Sequence, residues 1–170
     1  MNQSMNEEIN MKKKNHVFLN VGMVGLSWFI ILLLGKENIK KYLPASIFIL
    51  FVEKLHAAHG KKQKWWVFYN KPKSYFFGEF PYQVGPFFML ALWTLKKAYG
   101  DFKPFILLNA GISAFFAFPL TYMAKQIKYY RLNRINHVQF FFYFFYKSFL
   151  LYGFQYLIER WFSKREKEVT

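Results

Sequence analysis

VQFFFYFFYKSFLLYGFQYLI, residues 138–158, decides how the chain is read. It carries a single formal charge, Lys147, and at 1.5 Å per residue a helix of this length reaches about 30 Å, enough to cross a hydrocarbon core. Working outward, four more mostly uncharged runs precede it: Val17–Leu34, Tyr42–Ala58, Phe80–Leu95 and Phe105–Ala124. Between them the charges, mostly lysine and arginine, fall in clusters. Aromatic residues make up 24% of the chain and hydrophobic residues 54%. This pattern predicts an all-α fold: a polytopic transmembrane bundle of about five helices, forming one domain. The second and third runs are marginal as spans, because Glu53, Lys54 and His56 interrupt the last third of one and the other is short. No run alternates as a membrane-barrel strand would. No internal repeat is convincing, although EFPY and AFPLTY echo each other faintly.

The rest of the chain frames this domain. Residues 1–16 form a polar tail with Lys12, Lys13 and Lys14, and residues 159–170 a charged one. The first apolar run is longer than a signal-peptide core and lacks a small-residue cleavage site, so it is read as an uncleaved anchor. There is no cysteine, which excludes disulfides, thiol nucleophiles and cysteine metal sites. A net charge of +15 fits either nucleic acid or anionic lipid. Because the basic clusters alternate with apolar runs instead of forming one face, lipid headgroups are the expected partner and nucleic acid is not. Basic residues on the side of the N-terminus slightly outnumber those opposite, which predicts a cytoplasmic N-terminus.

Two connecting stretches interleave lysine with rings. KKQKWWVFYNKPKSYFF, residues 61–77, holds Lys61, Lys62, Lys64, Trp65, Trp66 and Tyr69; KQIKYYRLNRINHVQ repeats the pattern with Tyr129, Tyr130, Arg131 and Arg134. Wedged between apolar runs, both are expected at the membrane interface, with rings at headgroup level and basic groups reaching for phosphates.

FFGEFPYQVGPFF, residues 76–88, opens the third run with Glu79, Pro81 and Pro86. Pro81 suits a helix start, where its missing N–H has no partner to lose, and Glu79 suits the positive end of the helix dipole. Pro86 lies deeper and crowds the carbonyl of Tyr82, which predicts a kink eased by Gly85. Pro119 disturbs the carbonyl of Phe115 in the fourth run. The two breaks fall at similar depth, an arrangement that either bends helices to fit their neighbours or exposes backbone groups to a ligand.

KWWVFYNKPKSYFFGEFPYQVGPFFMLALWTLKKAYGDFKPFILLNAGISAFFAFP, Lys64 to Pro119, resembles the central region of a family of small, uncharacterised multi-pass integral membrane proteins of spore-forming Gram-positive bacteria. The shared features are the basic Trp-Trp segment, the GEFP and GPFF helix start, a span ending in W and YG, and the FAFP helix. The resemblance implies a multi-pass inner-membrane protein and assigns no activity.

Three polar groups within the runs invite chemistry. Lys147 is costly in the middle of a span unless paired or hydrated, and Glu53 lies within a few ångströms of the same depth; an ion pair between them is the expectation. Asn109, with Gly111 and Ser113, marks either a small-residue helix contact or a polar pore lining. Glu53, His56 and His59 recur every third residue and would suit a metal on one helix face, or else form the polar end of a span. No nucleotide, nucleophile or paired-carboxylate signature is present, so no enzyme activity and no cofactor are expected. The leading expectation is an accessory or interaction module contacting anionic lipid, with a membrane-protein partner or a second copy. The alternative is a small transporter whose polar site comprises Lys147, Glu53, Tyr82, Pro86, Phe115, Pro119 and Asn109. A membrane metalloenzyme is the third.

Overall fold

The computed structural model describes residues 2–69 and 78–169, and side chains over 16–69 and 78–165. Lys71, Lys73 and Tyr75 of the expected interfacial segment, and the side chains of the N-terminal lysines, lie outside the described residues. Five helices dominate: α1 (Asn2–Leu32), α2 (Lys36–Lys62), α3 (residues 80–98), α4 (Phe102–Gln126) and α5 (His137–Val169). Two three-residue strands, β1 (Trp66–Phe68) and β2 (Tyr130–Leu132), pair antiparallel with Val67 opposite Arg131. Each expected run lies on one helix, apart from Leu33 and Leu34 of the first, which fall in the turn after α1. The strand pair was not expected; both strands fall within the basic-aromatic stretches.

Helix number meets the expectation, but apolar length does not. Among the described residues, Phe102–Gln126 is the one helix long and apolar enough to cross a membrane by length and composition, and His16–Leu32 is apolar but shorter. The reason is visible in the sequence: Glu53 and Lys54 interrupt α2, Lys96 and Lys97 close α3 early, and α5 mixes Lys147, Gln155 and several tyrosines into its phenylalanines.

α3 packs against α1, α2 and α4, while α5 lies between α2 and α4. One apolar cluster, built on Tyr42, Ile49, Leu92, Leu95, Phe105 and Leu151, fills the end near the Gly35 and Gly100 turns, where both glycines adopt positive φ. A second, centred on Ala117, Phe140 and Tyr143, fills the end beneath the strands. Glu53 and Lys147 sit between the two.

A backbone repeat joins the halves. At the end of α2 the Lys64 N–H reaches Lys61 O (3.1 Å) and the Trp65 N–H reaches Gly60 O (2.9 Å); at the end of α4 the Lys128 N–H reaches Lys125 O (3.2 Å) and the Tyr129 N–H reaches Ala124 O (2.8 Å). Lys64 and Lys128 are the described non-glycine residues with positive φ, 55° and 54°. Each corner is thus a Schellman motif with lysine where glycine is usual. The strands that follow exchange reciprocal bonds, Asn133 N–H to Trp65 O (2.8 Å) and Tyr69 N–H to Tyr129 O (3.1 Å). The two corners thus repeat one hydrogen-bond pattern, at positions other than the EFPY and AFPLTY echo.

Candidate functional site

Both prolines widen their helices. Gln83–Phe87 and Phe116–Leu120 are π turns containing Pro86 and Pro119. Proline supplies no N–H, so a wider turn lets later donors reach back; the Phe88 N–H bonds Gln83 O, five residues earlier. In α4 the loosened carbonyls find side chains: the Thr121 hydroxyl donates to Phe116 O (2.8 Å) and His137 Nδ1–H to Ala117 O (2.6 Å). In α3, Gly85 serves a close approach more than a bend. A Cβ there would stand 3.2 Å from the Cα of Val24 in α1, and about as near to its side chain.

The ion pair expected between Lys147 and Glu53 is formed, and both side chains are almost fully buried. Lys147 Nζ donates to Glu53 Oε2, while the Tyr143 hydroxyl donates to Oε1 at 3.0 Å. Four residues separate Tyr143 from Lys147, so one helical face presents both to the carboxylate. Sequence reasoning missed Tyr143, although that spacing was the available signal. The ammonium also lies 3.3 Å from the Tyr143 ring centroid and 5.2 Å from that of Phe144, within cation–π range.

Two cavities flank the pair. The smaller, about 50 Å³, is lined by Lys147, Asn109, Ser113 and Ser148 among apolar neighbours. It has the polarity and room to hold water. The larger, about 320 Å³, is bordered by Glu53, Glu79, Asn20 and a set of rings from the strand pair and α5. Tyr82, Phe116 and Phe144 line both cavities. Their centroids lie 5.6 to 6.0 Å apart, so they form an aromatic partition with the ion pair crossing beside it.

Of the expected ligand set, Lys147, Glu53, Tyr82 and Asn109 therefore line cavities. Phe115 does not: it is 52% exposed and its neighbour Phe116 points inward in its place. Consecutive helix residues point about 100° apart, so only one of the two faces the cavity. Pro86 and Pro119 shape the backbone and line neither cavity.

The rings of the expected interfacial stretches make contacts within the protein. Trp65 and Trp66 are half-buried and pack on Tyr143, with centroid separations of 6.1 and 5.6 Å. The Tyr129 hydroxyl donates to Asn20 Oδ1 (2.5 Å), and the Tyr130 hydroxyl lies 3.0 Å from that of Thr121. Burial pushes the Tyr129 phenol up to about 12, with Tyr130 and Glu79 adding to the effect, and raises Tyr130 as well, so both remain protonated at neutral pH. Trp66, Tyr129 and Tyr130 line the larger cavity, and Trp65 packs beside Trp66. Lys61, Lys62, Lys64, Tyr69, Arg131 and Arg134 remain exposed.

The metal triad does not assemble. Glu53 faces Lys147, His56 contacts the Tyr146 hydroxyl, and the His59 ring lies 5.3 Å from that of Trp65. Among the described residues no group of three histidine, cysteine or acidic side chains is placed to hold a metal ion. A spacing of three advances each side chain around the helix, so Glu53 and His56 meet different residues of α5 while His59 meets Trp65 in the turn after α2. Comparison with family models, curated proteins and solved structures found no match to the chain.

Proposed function

We propose that the chain is a multi-span membrane protein that binds a small ligand at the Glu53–Lys147 layer, the polar intramembrane site of a small transporter. The observation that carries this reading is an inverted distribution of polarity. Large apolar side chains face outward along α1, α2, α4 and α5, among them Phe18, Leu32, Phe51, Leu107, Phe142 and Leu157, while Ser46, Glu53, Gln83, Thr94, Lys147 and Gln155 are buried. Water-soluble bundles do the opposite. In Phe102–Gln126 only 22% of the apolar window is buried, whereas the core helix of a soluble protein is mostly covered. Ionisable groups within a membrane bundle face its interior and pair, as Glu53 and Lys147 do. Five crossings would put the strand pair and its lysines on the cytoplasmic side of a bacterial inner membrane, together with the N-terminus.

A second reading, an accessory module held on anionic lipid, is favoured by Lys61, Lys62, Lys64, Arg131 and Arg134, all exposed around the strand pair. The two readings are compatible. The π turns and cavities give the first more to explain.

Because the chain has no cysteine, single introduced thiols report directly on membrane exposure. In native membranes, Phe115→Cys and Phe149→Cys, on exposed mid-helix side chains, should resist a water-soluble maleimide until detergent is added. Lys62→Cys should react, but only after inner-membrane permeabilisation. Ready labelling of the two mid-helix thiols in intact membranes would defeat the multi-span reading.

A further inference from the structure

The walls of the larger cavity are selective in charge. In a chain with 24 basic and 9 acidic residues, the described residues lining the cavity include two carboxylates, Glu53 and Glu79, and among them no lysine, arginine or histidine. Apolar surface dominates the rest, with Trp66, Phe68, Tyr129, Tyr130, Phe140 and Tyr143 contributing rings. At about 320 Å³ the space lies within the range of small-molecule sites, roughly 300–1,000 Å³. Aromatic walls with a carboxylate are the chemistry that recognises alkylated ammonium groups, because ring faces are electronegative and need no hydrogen bond from the ligand.

We infer that this cavity takes a lipophilic monocation, a quaternary or tertiary onium group carrying an apolar body. The inference rests on the ligand-binding reading above. The protein already holds one cation in this way: the Lys147 ammonium sits against the rings of Tyr143 and Phe144 while bonded to Glu53. Glu79 is the carboxylate available to a ligand. It is 7% exposed and its cationic partner is Lys61, at 3.5 Å, whose side chain is 48% exposed and can swing into solvent. A ligand cation would replace Lys61 at Glu79 and lay its apolar body against the rings, with Glu53 deeper in the wall. Part of the cavity border is formed by Leu19, Met123 and Ile127, all exposed apolar residues, so entry from the hydrocarbon phase needs no polar crossing.

The test uses two probes of one shape and opposite charge, tetraphenylphosphonium and tetraphenylborate, with neutral triphenylphosphine oxide as a third. Saturable binding to the purified full chain in nanodiscs is measured by equilibrium dialysis, and empty nanodiscs provide the partition blank. The cation should bind at least about tenfold more tightly than the anion, and Glu79→Gln should weaken it about tenfold while leaving the neutral probe unchanged. Glu79→Asp should restore part of the loss. The probe comparison on the unaltered chain stands even if Glu79→Gln fails to fold. Equal or tighter binding of tetraphenylborate or the neutral probe would overturn the cation inference and leave the ligand-binding reading standing. Absence of saturable binding by all three would overturn both.

Discussion

The stretch from α1 through β1 and the stretch from α3 through β2 share a plan and differ in content. Each is a helix, a turn around a positive-φ glycine, a second helix, a left-handed lysine, two aromatic residues and a short strand. The strands of the two stretches pair with each other. What they do not share is the site. Counting back from the left-handed lysine, Glu53 of α2 corresponds to Ala117 of α4, which lies in a π turn and offers a backbone carbonyl to His137 in place of a carboxylate. Both π turns belong to α3 and α4; α2 contains Pro44 without one. The comparison teaches that the common backbone builds the frame, and that its departures from symmetry make the cavities and place one carboxylate opposite Lys147 of α5.

The sharpest way to break this comparison is to remove the charge that α5 supplies to the unsymmetrical carboxylate. Lys147→Met should cost about 3–5 kcal/mol, because it strands Glu53 in a buried position. Glu53→Gln should cost a similar amount by stranding Lys147. The double variant should regain most of the loss when unfolding is followed in detergent. Additive losses would mean that the two groups are independently satisfied and that the asymmetry is incidental.

A smaller effect separates the corners themselves. Gly60 and Ala124 accept equivalent hydrogen bonds, yet a Cβ on Gly60 would fall 2.5 Å from the Trp66 ring and 2.9 Å from that of Trp65. Gly60→Ala should therefore destabilise by about 1–3 kcal/mol through overpacking and alter the near-ultraviolet dichroism of the tryptophans. A neutral outcome would show that the rings move aside freely.

The smallest expected effect tests what the corners share. Lys64→Gly and Lys128→Gly should each stabilise by about 0.5–1 kcal/mol, since glycine adopts the left-handed C′ conformation without the penalty a Cβ carries. Opposite responses at the two sites, read as melting temperatures, would mean that the matching φ angles hide different local energetics.

Much of this architecture was legible in the chain. The alternation of apolar runs with basic clusters located five helices, and one lysine in an otherwise uncharged run announced a buried partner. Depth alone then picked out Glu53, because rise per residue converts sequence position into height along a bundle. The Lys-aromatic-aromatic pattern of KWW and KYY was also visible, but its meaning was not. Rings flanked by lysine in a membrane protein suit the headgroup region, and only the pairing of β1 with β2 turns them inward.

The amino-acid sequence by itself determined the helices, the two proline disturbances and the need for Lys147 to be neutralised. Those follow from local sterics, from the missing proline N–H and from the cost of a bare charge, none of which depends on the neighbours. Tertiary structure alone decided that Phe116 and not Phe115 lines the site, that Tyr143 completes the Glu53 interactions, and that His56 and His59 go to separate partners. Each is a question of which way a side chain faces. Neighbouring residues face different ways around a helix, and the faces become fixed only when another element arrives to meet them.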